Sequence, residues 1–167
     1  YALEKFSLLV EARLEEDRVL LGFIDAASSS PTISPAQAKQ ALYIYDRVEK
    51  GSVKFEDVRI QAEKLTRLAW IMVKTDNPTK ADALLNKVLV LDPQDPDVRK
   101  ELGGVLSSRD RLADSIRIYA SIESTLDFND RITFINLLVE SGRKEDLAMM
   151  EGQFQKLVFS RVQPRDV

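Results

Sequence analysis

The seven residues Leu-Asp-Pro-Gln-Asp-Pro-Asp at 91–97 limit what this chain can fold into more than any other stretch. Two prolines three residues apart cannot both sit inside one α-helix, and neither can donate to a β-ladder. Apolar residues at spacings of three and four lie on both sides, so the segment reads as a corner between two helices. Asp92-Pro93 closes the first; Asp95-Pro96 supplies a capping carboxylate and a proline at the first helical position of the next. The rival reading is an acidic metal loop. A calcium loop needs oxygen ligands on alternate residues, a central glycine and a distal bidentate glutamate. Asp92, Asp95 and Asp97 are spaced three then two, with no glycine between them. No metal site is expected.

The same punctuation recurs. Ser34-Pro35-Ala36-Gln37 has the form of a capping box, and Asn77-Pro78 repeats the cap-then-proline order. Gly51 and Gly142 stand where helices would stop. Between these signals run helical stripes such as Leu3, Phe6, Val10 and Leu14, and Val58, Leu65, Leu68, Ala69 and Met72. The pattern predicts an all-α chain, with helices near 2–27, 35–50, 53–75, 79–91, 97–108, 111–124, 130–140 and 144–159. Most links are short, which makes successive helices antiparallel hairpins. The longer polar segment at 28–34 is the exception.

Composition removes whole classes of chemistry. The 167 residues contain neither cysteine nor histidine, so thiolate and imidazole ligands, disulfides, cysteine nucleophiles and histidine bases are absent. No phosphate-binding glycine loop, dinucleotide fingerprint or nucleophile elbow occurs. The adjacent carboxylates of Glu15, Glu16 and Asp17 diverge on a helix and read as a solvated face. A net charge of -3 with scattered basic residues gives no case for nucleic acid. The longest apolar runs, at 19–24 and 68–73, are far shorter than the ~20 residues a membrane span requires. We expect no enzymatic activity, no cofactor and no direct membrane insertion. The missing cysteines suit a reducing cytosol and a periplasm alike, and cytoplasm is the marginal preference. The start at Tyr1 rather than methionine suggests a piece excised or processed from something longer.

Internal repetition sharpens the fold. Ala81, Leu85 and Val88 are followed 34 residues later by Ser115, Tyr119 and Ile122, and Leu68-Ala69 by Leu102-Gly103. This spacing resembles the tetratricopeptide repeat, whose first helix carries a Leu-Gly pair and whose second carries Ala-x3-Phe before a closing proline. The resemblance covers two copies, at about 62–95 and 96–129; Asp127 stands in the second where Pro93 closes the first. A degenerate copy lies upstream, through Leu21-Gly22 and Ala41-x3-Tyr45, and residues 130–160 hold a further helix pair in no consistent register. The resemblance implies a single domain over 1–167, with degenerate helices at 1–61, its hairpins stacked as a short right-handed superhelix.

It also implies a function. Arrays of this family bind segments of other proteins in a concave groove lined by first helices. In this register Glu63, Thr66, Trp70, Val73 and Lys74 of the first copy would face the groove, with Asp97, Lys100, Gly104, Ser107 and Ser108 from the second. Trp70, the only tryptophan, reads either as a core aromatic or as a groove anchor; neighbours turned about 100° from it argue for partial exposure. Family members that grip chaperone carboxylate tails use Lys, Asn and Arg where this chain has Thr66, Trp70 and Glu101, which disfavours that subset. The expected role is a scaffold binding a partner polypeptide. The alternative is a structural segment of a larger bacterial secretion, polysaccharide-export or envelope assembly, acting by self-association or stacking.

Overall fold

The computed structural model describes Lys5 and residues 17–161. Within them the chain forms α1 (Asp17–Ser28), α2 (Pro35–Glu49), α3 (Val58–Lys74), α4 (Pro78–Leu91), α5 (Pro96–Ser107), α6 (Leu112–Ser121), a short 3-10 turn (Glu123–Thr125), α7 (Phe128–Ser141) and α8 (Lys144–Arg161). Among the described residues there is no strand, and the protein is all-α. The apolar stripe at residues 3–14 lies outside them.

Local chemistry sets most boundaries. Ser34 closes a full capping box: the Gln37 N–H donates to its hydroxyl at 3.3 Å, and its own N–H donates to Gln37 Oε1 at 2.8 Å. Asp95 accepts the N–H groups of Asp97 and Val98 at 2.9 and 3.1 Å, and Pro96 starts α5. Asp92 ends α4 in the left-handed region at φ 45°. Asn77 departs from expectation: its amide donates to the Thr75 carbonyl at 2.7 Å and caps nothing. The sequence also started α3 too early. Asp57 is its true cap, accepting from Ile60 N–H at 2.7 Å with an extended backbone, so residues 53–57 are loop and Val58 is exposed rather than core.

The acidic corner distributes its carboxylates in three directions. Asp92 takes Arg99, Asp95 caps α5 and takes Arg59 at 2.7 Å, and Asp97 pairs in solvent with Lys100. The Arg59 hydrogen bond, helped by the Val98 N–H, holds the Asp95 carboxyl below its ordinary pKa. Asp95→Ala is expected to cost about 1 kcal/mol of stability at neutral pH through the lost cap. Because the folded-state pKa is depressed, this contribution is complete above the unfolded carboxylate range near pH 4 and fades as pH falls through the folded value. Urea unfolding of both proteins at pH 7 and near pH 3 checks it, the gap between them narrowing in acid.

Packing follows the hairpins: α3 on α4, α5 on α6, α7 on α8. α3 also carries α1, α2 and α5 on its flanks, and α7 rests on α6. The turns α3–α4 and α5–α6 share one device 34 residues apart. Asp76 and Asp110 both take φ 56°, and the next N–H groups, of Asn77 and Arg111, return to the carbonyls of Met72 and Leu106.

Small residues at the crossings let the backbones approach. Ala69 and Ala81 are fully buried in the first hairpin. In the second, the buried Ser115 hydroxyl donates to the Gly103 carbonyl at 2.8 Å, and Tyr119 lies across Gly103. A Cβ on Gly103 would stand 2.7 Å from the Tyr119 ring. That ring is also stacked on Phe134, with centroids 5.8 Å apart, so it has little room to yield. Gly103→Ala is therefore expected to destabilise by about 1–3 kcal/mol in chemical denaturation. A change of a few tenths would mean the ring moves aside freely.

Two separate cores result. The main one, including Leu20, Phe23, Ile44, Leu65, Leu68, Met72, Leu85 and Leu102, joins α1 to α6. A smaller one built from Ile116, Tyr119, Ile122, Leu126, Phe134, Leu137 and Leu138 holds the last hairpin to α6.

Candidate functional site

A cavity of about 480 Å³ opens where the end of α1 meets the middles of α3 and α5. Ser28 and Ser29 form one wall, Thr66, Arg67 and Trp70 the α3 side, and Lys100, Glu101, Gly104 and Val105 the α5 side. These helices lie side by side because α1 and α5 flank α3. The groove is therefore a product of helix stacking.

Its charges are compensated internally. Arg67 donates to Glu101 through Nε at 3.2 Å and Nη2 at 2.9 Å, and to Asp25 of α1 at 2.8 Å. The Glu101 hydrogen bonds chiefly raise the Arg67 pKa further above its ordinary value, so it stays charged. Lys100 is held by Asp97 at 2.9 Å and faces Asp130 of α7 at 3.5 Å; the Asp97 hydrogen bond leads in raising its pKa. Glu63 pairs with Arg67 at 2.7 Å and Lys64 at 3.1 Å. The resulting network ties α1, α3 and α5 together at the rim. Partly exposed pairs of this kind add little to stability singly. Their effect here is to leave the cavity without an unpaired ion.

The predicted groove residues separate into distinct roles. Thr66 is fully buried at the cavity floor, its hydroxyl donating to the Ala62 carbonyl at 2.8 Å, so it offers a partner no free hydroxyl. Lys74 turns away to donate to the carbonyls of Ser28 and Ser30 at 2.9 and 2.7 Å, tying off the α1 end; burial lowers its pKa. Val73 is half-buried against the main core, and Ser107 and Ser108 lie outside the cavity lining. Glu63 and Asp97 act through Arg67 and Lys100 at the rim. Trp70, Lys100 and Gly104 do line the cavity.

Trp70 combines both sequence readings. Its indole is half-buried against the core and lines the groove, with the Lys74 ammonium 5.1 Å from the ring centroid. Gly104 is exposed in mid-helix, and a Cβ there would meet nothing within 4 Å. Unlike Gly103, it is not required by the fold. Sequence reasoning missed Ser28, Ser29, Arg67 and Val105. One signal was available for Arg67 and Glu101: they are opposite charges 34 residues apart, the spacing of the sequence recurrence, on α3 and α5.

Among the described residues no group of carboxylates could hold a metal ion, and no helix is long and apolar enough to cross a membrane. Compared with protein-family models, with curated proteins and with solved structures, the chain gives no significant match.

Proposed function

We propose that this protein is a helical-repeat scaffold of tetratricopeptide type that binds a segment of a partner polypeptide in the groove between α1, α3 and α5. The observation that supports it is the open cavity of about 480 Å³ over the half-buried Trp70 indole. Mostly apolar concavities with a few polar groups are where ligands seat, and tryptophan is among the residues enriched at binding hot spots. Because each lining charge already has a partner, the cavity favours an uncharged apolar side chain. An incoming ion would have to displace an existing pair.

The 34-residue recurrence of the left-handed aspartate turns favours the repeat reading, as does the small-residue packing of Ala69, Gly103, Ala81 and Ser115. Groove binding makes no demand on nucleophiles or acid–base pairs, so the scaffold role needs no enzymatic activity.

Gly104→Leu tests the proposal directly. A Cβ at 104 meets nothing within 4 Å, so the new side chain is expected to project into the groove, and replacing a mid-helix glycine is expected to stabilise α5 by about 0.5–1 kcal/mol. Proteins captured by the wild-type chain and identified by mass spectrometry should be lost from the Gly104→Leu capture, while thermal unfolding moves upward. An unchanged captured set would reject the groove as the binding site.

A further inference from the structure

Helix α8 carries exposed apolar side chains and buries polar ones. Toward the molecule it turns Asp146 and Gln153, only 4% and 2% exposed, together with Met150, which packs on the smaller core. Asp146 is gripped by the Ser141 hydroxyl and by Arg143, and Gln153 accepts from Arg131 of α7. Outward it turns Leu147, Phe154 and Val158, which are 46%, 57% and 46% exposed. Spacings of seven and four place these three on one stripe. Across the hairpin, α7 leaves Ile132 and Val139 exposed as well, at 37% and 56%.

We propose that the α7–α8 hairpin is the surface through which two copies of this chain associate, the same face meeting on each. Three observations favour a second copy. The first is area. The five side chains together expose roughly 400 Å² of mostly apolar surface, and taken as one face this equals the largest patch of a typical monomer. Pairing two such faces removes about 800 Å² of apolar area, and at the ~65% apolar content of homodimer interfaces this corresponds to about 1,200 Å² in all. That is the lower bound for a stable association.

The second is the distribution of apolar surface. Outside this hairpin the exposed large apolar residues are Tyr43, Val58 and Val90, single residues on three different helices. No other described surface offers a matching face, so contact between copies is isologous and closes as a dimer. The third is charge. Residues 128–161 carry five acidic and five basic side chains, whereas the whole chain is at -3, so two hairpins meet without net repulsion.

Sedimentation velocity on the full chain, over about 1–100 µM to span the weak end for interfaces of this size, tests the proposal. The expected result is a monomer–dimer equilibrium, with Phe154→Glu raising the dissociation constant at least tenfold and the groove variant Gly104→Leu leaving it unchanged. Circular dichroism verifies that Phe154→Glu remains folded. As a second measurement, Glu151→Cys places the chain's only thiol between Leu147 and Phe154, and a short bismaleimide should link two copies through it. If Phe154→Glu unfolds, this link decides. A chain that stays monomeric throughout, a dimer insensitive to Phe154→Glu, or Glu151→Cys that does not link would each overturn the proposal. The first would mean that some other element or protein covers the stripe.

Discussion

Leu85→Ala is expected to remove about 2–5 kcal/mol of stability, the range for emptying a fully buried leucine site. Leu85 has no exposed surface and sits on α4 where the hairpin closes against α3, among Ala81, Leu84 and Val88, which are equally buried. The loss combines the transfer of the missing methyl groups with the cavity left behind. Surrounding helices cannot close that cavity without moving Ala81 and Ala69, whose small size already sets the helix separation. Val90, on the opposite face of α4 and 86% exposed, provides the control: Val90→Ala should change stability by no more than about 0.5 kcal/mol. Urea unfolding of both variants checks the pair, and a loss of a few tenths at Leu85 would contradict the helix register.

Phe134→Ala is expected to cost about 3–5 kcal/mol locally, but its damage should be confined. Phe134 is fully buried at the centre of the smaller core, stacked on Tyr119, and it belongs to none of the main core. Its removal loosens the attachment of α7 and α8 to α6 while α3 and α4 keep their own packing. Hydrogen exchange should show protection falling across 128–158 and persisting across 58–91. Uniform loss across both regions would mean that the two cores unfold as one unit.

The division into two cores is where sequence reading reached its limit. The corner at 91–97 was legible because proline excludes alternatives, and Asp95 was legible as a cap because the following proline marks the first helical position. Asp57 lacks such a proline, so its capping role emerged only from the extended backbone that positions it. Of the residues the repeat register put at a groove, Trp70, Lys100 and Gly104 line the cavity, while several of their neighbours do not. Thr66 became buried because its hydroxyl bonds back to Ala62 within the same helix, which removes the need for water. Lys74 was drawn away by the carbonyls at the end of α1, an element 44 or more residues earlier in the chain. The outward stripe of α8 depends on Ser141 and Arg143 holding Asp146 inward, a clamp across a turn that no periodicity reveals.

As proposed, the groove and the α8 stripe take different kinds of contact. The groove is a walled cavity with compensated charge, suited to one inserted side chain. The stripe is open and apolar, suited to another helix. Gly104→Leu and Phe154→Glu act on these surfaces separately, so loss of partner binding and loss of self-association can be read independently.

Under the groove proposal Trp70 belongs to the binding surface while its neighbour Leu68 belongs to the fold, and the most direct test measures unfolding free energy and partner affinity for Trp70→Ala and Leu68→Ala side by side. Leu68 is fully buried on α3, so its truncation should lower stability by about 2–5 kcal/mol and reach affinity only through folding. Trp70→Ala should weaken partner binding by roughly 2 kcal/mol or more, exceeding its effect on stability. Equal stability losses in the two variants, with partner affinity unchanged in folded Trp70→Ala, would return the indole to the core and contradict the groove as the binding site.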